Sequence, residues 1–530
     1  MSTQSESNSN LVSMLADFVK KTPDKPVLFY KELVKGKLTD RILTYRDLDN
    51  KSSLFARHFS GLGLKAGDNV VVMVPVSSEL YITLLGLFKI GCAAVIIEPG
   101  FGLKAMNNCC SLTEPKGFIG ISKAFILTIL SKTFRSIEVK SILGSSVIAP
   151  FTLKLNSIIN SGVADYSIYN AGDDHDAIIT FTSGSTGVPK GIRRTHGFLK
   201  TQMMVLSKEL DFEKGDVEMT NLPVVVLNNM ANGIATVLPY FKDYTLKSMD
   251  TKIIHSQIES CKVNRLTGSP FFVDKIFAKD DPVLKKIKKV FTGGGLVEGK
   301  TAINIGRYSE AVLKIIYGST ESEPIAVLRY ENNDEMIDLG GVGKPVESIE
   351  VLVIKVTGGR LDFIKEDKDQ LILPANKIGE IIVKGCHVNR GYYKNEDAVL
   401  ENKIIDKNNG LYHRTGDTGY FDDTGRLWIT GRVSNLVYSD NEPVDLNKIE
   451  KSLKKCLYIK KAAVVSFENN RVVVFVEKIQ QCKNDVIISE LESILKGMKI
   501  DPYCIRIIKR IPLDKRHNTK IDYKRLKKTI

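Results

Sequence analysis

The chain has 530 residues, 43% of them hydrophobic, with 40 glycines and a formal net charge of +14; this globular composition is longer than one compact core usually holds, so two or more domains are expected. Met1 to Asn10 is polar and lacks the apolar core of a secretory signal, and the most apolar span, near Leu80 to Ile90, is too short to cross a bilayer. A soluble, cytoplasmic protein without a transmembrane segment is therefore expected. The positive excess suits nucleic acid, an anionic membrane surface or an acidic protein partner. No aromatic-interleaved basic repeat or zinc finger accompanies it, so nucleic acid is set aside. Eight cysteines (92, 109, 110, 261, 386, 456, 482 and 504) show no CxxC pairing and read as buried, reduced thiols.

From the N-terminus, the apolar runs Asn69 to Val74 and Ala93 to Ile97 alternate with the helical pattern Leu80 to Lys89. Such alternation marks a parallel sheet covered by helices. An α/β body is predicted to about residue 430. Within it Ala177 to Phe181 reads as a buried strand, followed by Thr182-Ser-Gly-Ser-Thr-Gly-Val-Pro-Lys190 and by a helix from Thr195 with Leu199, Met203, Leu206 and Leu210 on one face. The small residues between them are not expected to be regular structure; they expose backbone N–H groups suited to phosphate oxygens. Thr182, Ser183, Ser185 and Thr186 add hydroxyls, Gly184 and Gly187 let the chain wrap closely, and Lys190 supplies a cation. Neither GxxxxGK[ST] nor GxGxxG is present. Asn228, Asn229 and Asn232, in Pro223 to Gly233, either orient a polar substrate group or cap a helix.

Further along stand Phe291-Thr-Gly-Gly-Gly295, Tyr317-Gly-Ser-Thr-Glu321, Tyr412-His-Arg-Thr-Gly-Asp417 and Gly425-Arg-Leu-Trp-Ile-Thr-Gly-Arg432. Asp422 to Gly425 reads as a tight hairpin turn rather than a calcium loop. After Arg432 the pattern changes. Ala462 to Phe467 and Val472 to Val476 flank Asn469-Asn470 as a hairpin, a helix carries Ile487, Leu491, Ile494 and Leu495 with Gly497 as its C-terminal cap, and Tyr503 to Lys509 reads as a strand. From Arg506 to Ile530 ten Lys or Arg stand against two Asp.

The stretch TSGSTGVPKG, together with the later motifs in their order, resembles the adenylate-forming (ANL) superfamily, which includes acyl-CoA synthetases, nonribosomal-peptide adenylation domains and firefly luciferase. The likeness spans about residues 40 to 525. It implies a luciferase-like α/β domain at 1–431, a hinge at 432–434 and a small, mobile α+β domain at 435–530 that rotates between two reaction poses. It also implies activation of a carboxylic acid by ATP and Mg²⁺, giving an acyl-adenylate and pyrophosphate. Carried over residue by residue, Thr182 to Gly187 and Lys190 hold phosphate, and Tyr317, Gly318 and Ser319 border adenine. Thr320 touches the α-phosphate, Glu321 and Thr186 hold Mg²⁺, and Asp417 and Arg432 take the ribose. Gly293, Gly294 and Gly295 border the acyl and adenine pockets. Lys520, in Pro512 to Tyr523, matches the lysine that bridges the incoming carboxylate and the α-phosphate.

Arg516-His-Asn-Thr-Lys520-Ile resembles one branch, the β-lactone synthetases of bacterial long-chain olefin biosynthesis, and Glu98 to Gly102 and Pro115 to Ala124 agree with it. In that branch the adenylate of a 3-hydroxy fatty acid is closed by its own hydroxyl, releasing AMP without CoA. Ser434, Tyr438 to Pro443 and the lack of an aromatic-His pair in Pro223 to Gly233 depart from the thioester-forming branches. The expected second step is β-lactone closure, with transfer of a fatty acyl group to CoA or a carrier-protein thiol as the alternative. Partners would then be the small-molecule acid and an acidic acyl carrier protein or other pathway enzymes. A silent nucleotide-binding protein is the remote third reading.

Overall fold

The computed structural model describes residues 8–144, 152–183, 189–331, 334–407, 410–439, 442–467, 471–479, 483–500, 502–513 and 521–530. The chain forms two compact units, residues 1–291 with 308–311 and 386–399, and residues 292–307 with 312–385 and 400–530.

In the first unit a seven-stranded sheet has the spatial order Leu153–Lys154, Val139–Leu143, Gly117–Ile121, Asn69–Met73, Ala93–Ile96, Asp176–Ser183, Pro189–Thr195. Every pairing is parallel except the last. Its central strands are apolar throughout because both faces are covered: Val70 and Val72 belong to one apolar core, Val71 to the other. Helix Ser78–Ile90 starts where the Ser77 side chain accepts the Leu80 N–H and stops at Gly91, whose φ of 87° places it in the left-handed region. Nearly all of it is buried, and it packs so closely on helix Tyr45–Gly61 that a Cβ at Gly86 would meet the Phe55 ring at 2.3 Å. A second set of strands in this unit runs Arg265–Gly268, Val217–Thr220, Ala235–Val237, Pro26–Val34, Lys37–Thr44. It is parallel up to the final hairpin.

In the second unit the sheet order is Ile349–Ile354, Gly379–Gly385, Leu411–Phe421, Leu427–Arg432, Gly341–Pro345, Ser322–Arg329, Val312–Ser319, antiparallel throughout. Its C-terminal residues add a three-stranded sheet in which Arg471–Lys478 pairs antiparallel with Ile459–Phe467 and parallel with Pro502–Ile508. Helices Leu446–Lys454 and Asn484–Gly497 cover it through Ile449, Leu453, Ile487, Leu491 and Leu495. The strands flanking Asn469-Asn470 are as expected, while the turn itself lies outside the described residues.

Three expectations are corrected. Gly497 is the last helical residue, not the cap; the left-handed position falls two residues later, on Lys499 with φ 57°. The Lys499 N–H donates to Lys496 O and the Ile500 N–H to Leu495 O, a Schellman arrangement that buries Ile500. Tertiary anchoring of Ile500 places the stop there, against the local preference for glycine. Thr182 and Ser183 are strand, paired with Lys190 and Pro189, because the chain returns as the strand Pro189–Thr195. Not all the cysteines are buried: Cys386 is exposed, on the loop after strand Gly379–Gly385, Cys261 and Cys504 are half-buried, and Cys482 lies outside the described residues. Burial pushes the thiols of Cys92, Cys109 and Cys110 up to about 12. No described helix is long and apolar enough to cross a membrane.

Candidate active site

In the first unit, strand Asp176–Ser183 brings Thr182 to its C-terminal end, and the return strand sets Lys190 opposite it. The pair is anchored from Cys386–Val399 of the same unit. Tyr393 N–H donates to Gly191 O at 2.7 Å, Asn389 Nδ2 donates to Arg193 O, and Ile192 forms a bridge with Tyr392. Gly191 is closely fitted: a Cβ would come within 3.1 Å of the Phe181 ring and 3.2 Å of Tyr393 Cβ, so a side chain there needs those neighbours to give way slightly. Lys190 Nζ lies 5.7 Å from the centre of the Tyr392 ring, within cation–π range. Gly184, Ser185, Thr186 and Gly187 lie outside the described residues, as does the Ser183 side chain.

In the second unit the structure brings together three residues that the sequence separates by up to 115 positions. Asp417 and Arg432 face each other in register across the antiparallel strands Leu411–Phe421 and Leu427–Arg432. Arg432 Nη1 donates to Asp417 Oδ1 at 2.6 Å, and the Tyr317 hydroxyl donates to Asp417 Oδ2 at 2.7 Å. The Thr415 hydroxyl accepts the Asp417 N–H at 3.0 Å. Burial and the neighbouring carboxylate raise the Tyr317 phenol well above its ordinary value, so it stays a donor. The Asp417 side chain is 15% exposed and that of Arg432 is 56% exposed. The carboxylate is thus held in place while the guanidinium is reachable. Gly416, with φ 68°, occupies a turn of the backbone beside Arg432 Nη2, which a Cβ would approach to 3.2 Å.

Thr320 and Glu321 make the tight turn between strands Val312–Ser319 and Ser322–Arg329, with Gly318 and Ser319 ending the first of them. A side chain at Gly318 would run into Ser322 O at 2.8 Å, and one at Gly293 into Ile316 O at 2.2 Å. Gly294, φ 74°, and Gly295 form the bend after strand Lys289–Gly293. Among the described residues the buried hydroxyls of Ser319 and Thr292 have no hydrogen-bond partner.

Beside Glu321 stands a residue that motif reading misses. Lys403, 4% exposed, begins the short strand Lys403–Ile405 paired with Leu411–Phe421; burial lowers its ammonium to about 7 against the opposing pull of the Glu321 carboxylate. A lone lysine in Glu-Asn-Lys-Ile-Ile carries no sequence signal of burial.

Other candidates make contacts within their own units. Asn232 Nδ2 donates to Ser207 Oγ at 2.9 Å and to Asn228 O, the Ser207 hydroxyl donates to Asn228 Oδ1 at 3.0 Å, and Asn229 Nδ2 donates to Thr236 Oγ1 at 3.1 Å. These contacts tie helix Pro223–Asn232 to its neighbours in the first unit. Asp422 closes a hairpin turn with Gly425 at φ 73°, and accepts from Thr424, Arg426 and Trp428, which bring its carboxyl down to about 2. Lys520 lies outside the described residues; Leu513 and Ile521 on either side of that span form a bridge.

A family model described as AMP-binding enzyme matches residues 15–393. Curated relatives include an olefin β-lactone synthetase of Stenotrophomonas maltophilia, 29% identical over 80% of this chain and 79% of its own. Another, of Xanthomonas campestris pv. campestris, is 28% identical over 92% and 90%. A 2-succinylbenzoate–CoA ligase of Oceanobacillus iheyensis is 23% identical over 96% and 97%. Among solved structures, ATP-bound MatB from Rhodopseudomonas palustris superposes with a TM-score of 0.79 at 19% identity, covering 98% of this chain and 99% of its own. Amide bond synthetase McbA from Marinactinospora thermotolerans gives 0.77 at 17%, covering 99% and 100%. The fold is the acyl-CoA synthetase-like fold of adenylate-forming ligases, and the chain belongs to the AMP-binding enzyme family, as an AMP-forming acid ligase.

Proposed function

We propose that the protein activates a 3-hydroxy fatty acid with ATP and closes the resulting adenylate to a β-lactone. The observation that carries this reading is the likeness to two olefin β-lactone synthetases over most of the chain, joined to the Tyr317–Asp417–Arg432 constellation that prearranges an acceptor for ribose hydroxyls.

In the first step a carboxylate oxygen attacks the α-phosphorus of ATP, and the bond to the β-phosphate oxygen breaks, releasing pyrophosphate. Both reactants are anions, so positioning and charge neutralisation supply most of the acceleration. Asp417 accepts from the ribose hydroxyls, Arg432 steadies that carboxylate, and Tyr317 offers its ring to adenine. Thr182 to Gly187 and Lys190 take the phosphate oxygens, and Thr320 donates to the α-phosphate. Lys520 bridges the incoming carboxylate and the α-phosphate from the C-terminal segment, 435–530, which we propose moves about 432–434. Among the described residues no three His, Cys, Asp or Glu gather as a metal cage. A magnesium ion here would take Glu321, the hard oxygen ligand that such a cation prefers, with nucleotide oxygens. Bound there, it would neutralise phosphate charge.

In the second step the 3-hydroxyl oxygen attacks the acyl carbon, the bond to AMP breaks, and the hydroxyl proton leaves to solvent. The alternative is attack by a CoA or carrier-protein sulfur, favoured by the likeness to 2-succinylbenzoate–CoA ligase. The test is pyrophosphate exchange into ATP with 3-hydroxy and plain fatty acids side by side, followed by AMP release with and without thiol. Release from the 3-hydroxy acid without thiol supports ring closure; strictly thiol-dependent release supports ligation. Absence of exchange with any acid would point to the silent binder.

A further inference from the structure

The short helix Ile126–Leu130 has an unusual surface. Leu127 is 6% exposed and packs in the core with Phe125 and Phe134, where the Phe118 ring stacks on Phe125 at 4.9 Å and meets Phe134 edge-on at 5.5 Å. The helix is therefore firmly anchored. Yet Ile126, Ile129 and Leu130 are 45%, 53% and 57% exposed, and their spacing of three and four residues sets them on one face. A cluster of aliphatic side chains on a well-packed surface marks an interaction site.

Its surroundings are cationic. Between Pro115 and Gly144 the sequence holds Lys116, Lys123, Lys132, Arg135 and Lys140 against the single carboxylate Glu138, which Lys116 pairs at 2.6 Å. Lys123 is exposed in the turn before the helix, and Lys132 is exposed just after it. Arg135, also exposed, donates through Nε to Thr128 O and through Nη2 to Ile129 O, which seats the guanidinium at the end of the helix that carries the apolar face.

We propose that Ile126, Ile129 and Leu130, ringed by Lys123, Lys132 and Arg135, dock this protein on the surface of an anionic lipid bilayer. The aliphatic side chains enter the boundary between headgroups and acyl chains, and the cations meet lipid phosphates. A second copy of the chain is disfavoured as occupant, because it would set Lys123, Lys132 and Arg135 against their own kind. A protein partner is disfavoured as well: three aliphatic residues on one five-residue helix, with no Trp or Tyr beside them, fall short of the area and aromatic anchors of a stable interface. The inference rests on this surface alone and stands apart from the proposed second reaction step.

The test is co-flotation of the full-length protein with phosphatidylcholine vesicles containing about a third phosphatidylglycerol. Wild type is expected to float with them, to bind pure phosphatidylcholine vesicles at least about tenfold more weakly, and to detach at about 1 M salt, where the Debye length is about 3 Å. The double variant I129E/L130E should lose at least about tenfold in partitioning, as should K123E/K132E, while both keep wild-type pyrophosphate exchange with a water-soluble acid, which reports intact folding. Failure of wild type to float, or flotation of I129E/L130E equal to wild type, overturns the proposal. So does retention by an immobilised acidic acyl carrier protein that the same double variant abolishes while vesicles are ignored. If both variants lose exchange, milder I129S/L130S decides between lipid docking and a structural role.

Discussion

The strand pair Leu411–Phe421/Leu427–Arg432 and the strand pair Asp176–Ser183/Pro189–Thr195 both carry residues proposed for the nucleotide, but their ion pairs sit differently: Asp417 and Arg432 are themselves such residues, whereas Arg193 pairs with Asp176 at the end of its strands away from Thr182 and Lys190. In the first pair Asp417 is fixed by Tyr317 and Arg432 before any ligand arrives, so little reorganisation is left for binding. In the second pair, Gly191 lies close against Phe181 and Tyr393, and Lys190 rests over the Tyr392 ring. In one pair a charged side chain is held by hydrogen bonds and strand register, in the other a glycine is held by the close approach of two aromatic side chains. Substitutions should therefore act on the two in different ways.

The largest effect is expected away from both pairs. Lys520→Ala should lower adenylation by about 10²–10³-fold while leaving ATP binding and the melting temperature nearly unchanged, as when one charge-stabilising donor is removed from a reacting centre. Near-normal pyrophosphate exchange would show that neither pair is served by this lysine. Next, Asp417→Asn should weaken ATP binding by about tenfold or more, in line with a lost charge-assisted hydrogen bond of about 1.5–3 kcal/mol. Isothermal titration with ATP and with inorganic triphosphate separates the two ends, because triphosphate binding should be unaffected. Gly191→Val is the converse: overpacking against Phe181 and Tyr393 should cost about 1–3 kcal/mol of stability, read from denaturant midpoints, with loss at the triphosphate end.

A pH prediction concerns the C-terminal sheet. Burial raises the Glu450 carboxyl to about 7 from an ordinary 4.5, although the Val464 N–H and the Tyr523 hydroxyl donate to it. The folded form holds a proton that the unfolded form gives up above pH 4.5. The contribution is thus full below pH 4.5 and lost as pH rises through 7, by about 3 kcal/mol. Glu450→Gln should flatten the fall in stability between pH 5 and 7. The smallest effect belongs to Tyr317→Phe, which removes one hydrogen bond and should raise the KM for ATP only a few-fold, about 0.5–1.5 kcal/mol.

What the chain makes legible is set by how local each signal is. Alternating apolar runs foretell the parallel sheet, because a strand buried on both faces must be apolar throughout. The Asp417 and Arg432 motifs are contiguous and readable, but their contact depends on register across two strands, which no window of sequence contains. The strand Pro189–Thr195 is hidden by its proline and two arginines; only at a sheet edge, paired on one side, are these tolerated. Lys403 is hidden because burial of a lone lysine is decided by what packs around it, here including Glu321. Lys499 takes the left-handed position against local preference because Ile500 must reach the core.

The most direct test of the account follows AMP release from ATP with a 3-hydroxy fatty acid in the absence of any thiol, with mass analysis of the organic product. The account predicts stoichiometric AMP and a product lighter than the acid by one water, the β-lactone. AMP release that needs CoA or a carrier thiol, with the thioester as product, would contradict it.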